Sequence, residues 1–179
     1  EILNSIAEIS RSSVSSMSDI VWAINPKKDS LLELTRRMRG FAEDILEQKE
    51  VLAEFNAPEI AAEIKLDADV RRNVFLIFKE SLNNIVRHAR AAKVVIDLEI
   101  VRNNLRLTIR DDGAGFEPAE NFDGNGLANM KRRANDLKGN FVIESEPGRG
   151  TKIVLEIPLE RRFEIRPSRD PIQPAKFRR

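Results

Sequence analysis

The apolar and small positions of residues 2–24 recur at spacings of mostly three and four: Ile2, Ile6, Ile9, Ser13, Ser16, Ile20 and Ile24 form one stripe. This predicts a long amphipathic helix whose seam needs a partner helix. The serines at 10, 12, 13, 15, 16 and 18 permit close helix approach at some cost in propensity. Pro26 lacks an N–H and its ring crowds the carbonyl of Trp22, so a kink or break is expected there. Ser30-Leu31-Leu32-Glu33 has the spacing of a capping box and restarts the helix. Leu31, Leu34, Met38, Phe41 and Ile45 continue the stripe with its phase slipped by one residue, which argues against one straight coiled coil.

From about residue 51 the period changes. Val51–Asn56 reads as a short strand, and Asp69–Ala89 as a buried helix with Val70, Val74, Ile77, Phe78, Leu82, Ile85 and Val86 on its apolar side. Val94–Val101 and Leu105–Arg110 alternate as a hairpin joined at Asn103-Asn104. A glycine-punctuated loop at 111–126 leads into an amphipathic helix at 127–138. Phe141–Ser145 and Lys152–Pro158 make a second hairpin through Pro147-Gly148-Arg149-Gly150. The expected architecture is α+β, a two-layer α/β sandwich of four or five strands against about three helices, preceded by a long helical arm. The division follows as 1–48 for the arm, 49–159 for the sandwich and 160–179 for a tail with Pro167, Pro171 and Pro174 that reads as extended.

Composition narrows the chemistry. The 179 residues, 41% hydrophobic and 33% charged, suit a globular body large enough to fold without metal or disulfide. There is no Cys, which removes thiol nucleophiles, Cys-ligated zinc and iron–sulfur clusters. There is one His, His88, and no Tyr, so a His-rich metal site is excluded. The net charge of +1 makes no case for nucleic acid. Residues 160–179 hold seven Arg or Lys against three acids, a local +4 that leaves −3 on residues 1–159. Such a segment is a solvated linker or a contact for anionic lipid or nucleic acid. No apolar run approaches the ~20 residues of a membrane span, no signal peptide opens the chain, and its start without Met in mid-helix suggests a fragment.

Three features converge on ligand chemistry. Six of the eight glycines form three pairs, Gly113/Gly115, Gly124/Gly126 and Gly148/Gly150, as expected where a backbone must come close to a ligand. Gly124-Asn125-Gly126-Leu127 also opens a helix, whose free N–H groups favour an anion. On the helix at 69–89, Glu80, Asn84, Arg87 and His88 lie at i, i+4, i+7 and i+8. A carboxylate, an amide oxygen for Mg²⁺ and a cation for phosphate are the parts of a Mg–nucleotide site, while a solvent-facing stripe explains the same spacing. Asp111, at a strand end, would accept from the exocyclic amine of adenine; Asp111 and Asp112 also read as a pair of turn residues.

Together these residues resemble the ATP-binding fold of the GHKL (Bergerat) superfamily, shared by sensor histidine kinases, type II topoisomerases, Hsp90-type chaperones and MutL-type repair ATPases. Residues 80–89, from Glu80 to Ala89, resemble the N box, Asp111-Asp112-Gly113-Ala114-Gly115-Phe116 the G1 box, and Gly124–Leu127 the G2 box. Gly148-Arg149-Gly150-Thr151 resembles the glycine-and-threonine turn near the end of that fold, and all four occur in order over residues 51–159. Ser18-Asp19-Ile20-Val21-Trp22-Ala23-Ile24-Asn25-Pro26 resembles the second helix of the dimerisation and phosphotransfer hairpin in NarX/DesK-like sensor kinases.

By this resemblance, Asn84 holds Mg²⁺, Arg87 and the backbone of Gly124, Gly126 and Leu127 contact phosphates, and Asp111 reads adenine, with Gly113 and Gly115 in its loop and Thr151 supporting it. His88 orients Glu80 or a phosphate, or packs at the helix end. Glu80 stands where topoisomerase and chaperone relatives carry the Glu that activates water, and polarises an incoming His, ligates a metal-bound water or serves structure. The phosphoacceptor of the family, a His in a motif like His-Asp-x-x-Gly on the first helix of the hairpin, is not in this chain.

The resemblance therefore implies the ATP-binding catalytic domain of a sensor histidine kinase, with ATP and Mg²⁺ as cofactors. Its γ-phosphoryl group would pass to an acceptor His outside the chain and on to a response regulator. It further implies a homodimer through the N-terminal helix, no nucleic-acid partner, and a cytoplasmic location with the full-length protein attached to the inner membrane. The alternatives are an anti-sigma-factor-type Ser kinase, against which the Trp22–Pro26 arm argues, and a hydrolytic ATPase with a longer lid.

Overall fold

In the computed structural model, which describes residues 17, 18, 21, 22, 25, 28–59, 64–117 and 125–159, helix α1 (Leu31–Glu47) starts at Ser30. The Ser30 hydroxyl accepts the N–H of Glu33 at 3.3 Å, one half of the expected capping box. The Glu33 carboxylate turns instead to Lys28 and Arg36. Strand β1 (Leu52–Asn56) follows, then α2 (Ala68–Asn84), which passes into a π-helical turn at Ile85–Ala89 and stops at Arg90, φ 52°. The hairpin β2 (Lys93–Val101) and β3 (Asn104–Asp111), helix α3 (Asn125–Asp136), and the hairpin β4 (Asn140–Ser145) and β5 (Thr151–Pro158) complete the order. Among the described residues no helix is long and apolar enough to cross a membrane.

The strands form one sheet in the order β1-β2-β3-β5-β4, with β1 parallel to β2 and every other pair antiparallel. Alternation sorts its two faces. Val94, Ile96, Leu98, Leu105, Leu107, Ile109, Ile153, Leu155 and Ile157 are buried in the common core with residues of all three helices. Arg106–Glu156, Arg110–Asp97 and Lys152–Glu144 pair across the other face, where each bridge contributes little because water competes for it. The expected α+β two-layer sandwich is the fold observed.

Three expectations shift in detail. The first hairpin turns at Arg102-Asn103 rather than Asn103-Asn104: both residues have positive φ (49° and 69°), and Val101 pairs with Asn104. This two-residue connection matches the twist of the flanking strands. The helix expected over 69–89 is α-helical only to Asn84. The boundary at 48/49 cuts through the core, because Leu31, Leu34, Met38, Ala42 and Leu46 of α1 are buried in the same cluster as α2 and the sheet. The packed body therefore reaches back to at least Leu31.

Before α1, Trp22 of the arm lies against the body, while Met17 and Val21 are exposed. Trp22 meets Phe75 with ring centroids 5.9 Å apart, and the Arg37 guanidinium sits 4.7 Å from the Trp22 ring. Arg71, buried near the start of α2, donates to the carbonyl oxygens of Asn25 and Lys28, which turns the chain into α1. The seam over residues 2–24, Pro26, the loop residues 118–124 and the basic tail lie outside the described residues, apart from positions 17, 18, 21 and 22 of the seam.

Candidate functional site

An open cavity of about 690 Å³ lies where the end of α2, the loop after β3, the start of α3 and the start of β5 meet. That volume falls within the range of small-molecule sites. Glu80 and Asn84 project from the last turns of α2, and Arg87 and His88 from the π-helical turn; all four line the cavity, with Arg87 and His88 exposed. A π turn inside a helix re-aims the residues around it and is frequent at functional sites. Its end is pinned by the N–H of Ala114, which donates to the Ala89 carbonyl at 2.6 Å.

Asp111 and Asp112, adjacent in sequence, do different work. Asp111 faces the cavity, and its Oδ1 accepts the N–H of Gly113 at 2.9 Å. Burial pushes its carboxyl above the usual range, while the backbone N–H groups of Gly113 and Thr151 pull the other way. Asp112 turns to the surface and accepts the N–H groups of Ala92 and Lys93, each at 2.9 Å, fixing the start of β2. Those N–H groups, the one of Lys93 first, hold its carboxyl below the usual range.

The glycines separate as well. A Cβ on Gly115 (φ +60°) would stand 2.1 Å from the Glu146 carbonyl oxygen, and one on Gly150 (φ +74°) 2.0 Å from that of Asp111. Gly113 does not line the cavity: it packs behind the wall, where a Cβ would meet the Ala89 carbonyl oxygen at 2.4 Å. Gly126 and Leu127 line it at the start of α3, and a Cβ on Gly126 would lie 2.4 Å from Glu80 Oε1. The Glu80 carboxylate thus sits against the first turn of α3. Gly124 lies outside the described residues.

Gly150→Ala should be destabilised by at least about 1–3 kcal/mol from the left-handed backbone alone, with a further loss because the Asp111 carbonyl must move. Gly148→Ala, at φ +82° with open space around the added methyl, should lose only the first part. Urea unfolding of the two variants checks the difference.

Thr151, paired with Asp111 across β3 and β5, lines the cavity, and its hydroxyl oxygen is 3.1 Å from that of Ser145. The spacing of motifs did not single out Ser145 or Ile153, and it gave no role to Ile85, Ala89 and Phe116, which with Ile153 form the apolar wall. The signal for Ile153 is present in alternation, since it shares a face with Thr151 two positions earlier. Ser81 lines the cavity from α2 and is occupied by its own helix, donating to the Ile77 carbonyl at 2.8 Å. Among the described residues no three His, Cys, Asp or Glu side chains cluster as a metal site. Near the end of α2 the cavity offers the Asn84 amide and Glu80 carboxylate oxygens, a sparse all-oxygen set. It suits a hard cation such as Mg²⁺ that takes its remaining ligands from water and a bound phosphate.

A sequence profile described as histidine kinase-, DNA gyrase B- and HSP90-like ATPase matches residues 69–161. The signal transduction histidine-protein kinase/phosphatase DegS of Brevibacillus brevis is 27% identical over 158 residues, which cover 88% of this chain and 40% of that protein. The sensor histidine kinase ComP of Bacillus subtilis is 37% identical over 97 residues, 52% of this chain and 13% of that one. The chain thus spans less than half the length of these relatives. In fold it is similar to the histidine kinase domain of the Erythrobacter litoralis EL346 blue-light activated histidine kinase, with a TM-score of 0.63 at 21% identity, covering 88% of this chain and 86% of that one.

Proposed function

The chain belongs to the histidine kinase-, DNA gyrase B- and HSP90-like ATPase family, and on that premise we propose that it is the ATP-binding catalytic region of a sensor histidine kinase of the NarX/DesK-like type. It hands the γ-phosphoryl group of ATP to a His outside the chain. The observation that carries this reading is one cavity lined together by the half-buried Asp111 carboxylate, by Arg87 and by the first turn of α3. The Asp111 carboxylate accepts from the exocyclic amine of adenine. Ile85 and Ile153 offer apolar surface to the ring. Arg87 and the free N–H groups at the start of α3 attract the phosphates. Asn84 would hold Mg²⁺, which when bound neutralises charge on the transferring phosphoryl group.

Transfer forms a bond from an acceptor imidazole nitrogen to the γ-phosphorus and breaks the bond to the bridging oxygen, leaving ADP. Glu80, placed between Asn84 and α3, orients that imidazole and draws on its N–H. His88 lines the cavity and is not the acceptor. A response regulator receives the group, residues 2–24 supply the dimer seam, and the region works on the cytoplasmic side of a longer protein attached to the inner membrane.

The test is incubation with γ-labelled ATP and Mg²⁺, alone and with a separate dimerisation helix bearing the acceptor His. Alone, the chain should remain unlabelled; with the acceptor supplied, acid-labile label should appear on the acceptor. Label on the chain alone overturns the acceptor assignment. Glu80→Gln should bind ATP within a few-fold of the original while transfer slows by about 100-fold or more, and unchanged transfer would remove Glu80 from the chemistry.

A further inference from the structure

We propose that Ser145 is a positioning residue for the adenine end of the cavity, one that holds the Thr151 hydroxyl with its proton turned away so that it faces the ligand as a hydrogen-bond acceptor. The proposal rests on the reading of the cavity as an ATP site and adds the device that sets its base selectivity.

Ser145 closes β4, pairs with Thr151 on β5 and is half-buried. Its hydroxyl makes three contacts. It accepts the N–H of Phe116 at 2.9 Å, it lies 3.1 Å from the Gly150 carbonyl oxygen, and it lies 3.1 Å from the Thr151 hydroxyl. A serine hydroxyl has one proton and two lone pairs. A carbonyl only accepts, so the Ser145 proton goes to Gly150. The Phe116 N–H takes one lone pair, and the contact with Thr151 is left as a bond in which Thr151 donates and Ser145 accepts. All three valences of the Ser145 oxygen are then used.

The consequence falls on Thr151. With its proton committed to Ser145, its hydroxyl has only lone pairs to offer the cavity. Asp111, directly across the β3–β5 pair, offers only lone pairs when ionised. The base end thus presents two acceptors side by side, matched to a purine amine, directly or through a water, and mismatched to a purine carbonyl. A Thr151 hydroxyl free to rotate would accept either. The same Ser145 bond also holds the Gly150 carbonyl, in the residue whose Cα packs on the Asp111 backbone, so both acceptors are located from one side chain.

The test compares ATP with inosine triphosphate, which carries a carbonyl in place of the amine, by calorimetric titration of the full chain with Mg²⁺. The original chain should prefer ATP. In Ser145→Ala the preference should shrink by about 5- to 20-fold, the scale of one exchanged hydrogen bond, and Ser145→Thr should restore it to within about two-fold. In a Thr151→Val background, the Ser145→Ala change should leave the ratio where it was. Circular dichroism verifies folding; if Ser145→Ala does not fold, Ser145→Cys makes the same comparison with a similar volume and a weaker hydrogen-bonding group. Equal weakening for both nucleotides, with the ratio unchanged, overturns the proposal and leaves the ATP site standing. Failure of the original chain to bind ATP overturns the site and the proposal together.

Discussion

Asp111→Asn should lower affinity for ATP by about 10- to 100-fold, the range expected when a hydrogen bond to a charged acceptor is lost. The change is nearly isosteric, and the Asn oxygen can keep the 2.9 Å bond from the Gly113 N–H. The other half of the amide then turns a donor toward the adenine amine, where a carboxylate presented an acceptor. Stability should move the other way. The Asp111 carboxyl is pushed above its ordinary value of 3.8, chiefly by burial. A carboxyl with a raised folded pKa favours folding while protonated and loses that contribution as pH rises from the ordinary value through the raised one. At neutral pH the ionised group is a cost, so Asp111→Asn should unfold at the same urea concentration or a higher one. Binding should also weaken as pH falls into that window, since protonation removes the charge and turns one acceptor oxygen into a donor. Calorimetric titration at several pH values, with urea unfolding of both proteins, measures the three effects. A variant that loses affinity by losing its fold would contradict the account.

The largest effect on stability is expected at Phe78. The side chain is fully buried in α2 and meets the rings of Phe41, Phe55 and Phe75 at centroid separations of 6.2–6.4 Å. These rings come from α1, β1 and α2, so truncation opens a void that no single element can close. Phe78→Ala should cost about 3–5 kcal/mol, a third or more of the total for many domains. The midpoint of thermal unfolding should fall by roughly 10 °C. ATP affinity measured well below that midpoint should stay within several-fold, because Glu80 and Asn84 lie further along α2, on the face turned to the cavity. A drop of less than about 1 kcal/mol would mean that α1 packs more loosely than its buried Leu34 and Met38 indicate.

The three glycine pairs were legible because close backbone approach and positive φ need glycine, and that need is written locally. Hairpins and the buried faces of strands were legible from alternation for the same reason. The π-helical turn at Ile85–Ala89 was not. Counting at i+3 and i+4 reads straight through it, since one extra residue per turn leaves Ile85 and Val86 still on the apolar side. At Gly113 spacing records that a glycine is needed and not what approaches it; here it is the carbonyl of Ala89, 24 positions away. Ser145 was invisible for a related reason, its bond to Phe116 spanning 29 positions. The partner of α1 was not legible, because its apolar stripe states that the helix needs a partner without naming it, and the partner is the body's own core.

Trp22 is the only tryptophan of the chain, and there is no tyrosine. The Arg37 guanidinium packs against both its indole and the Phe75 ring, 4.7 and 4.8 Å from their centroids, with Arg71 5.9 Å from the indole, where the arm meets the body. Excited at the red edge of its absorption, the whole polypeptide therefore emits from that one junction. Movement of the arm away from α1 and α2 would carry the indole from beside two guanidinium groups into water, and the shift in colour and intensity would be readable without any attached dye.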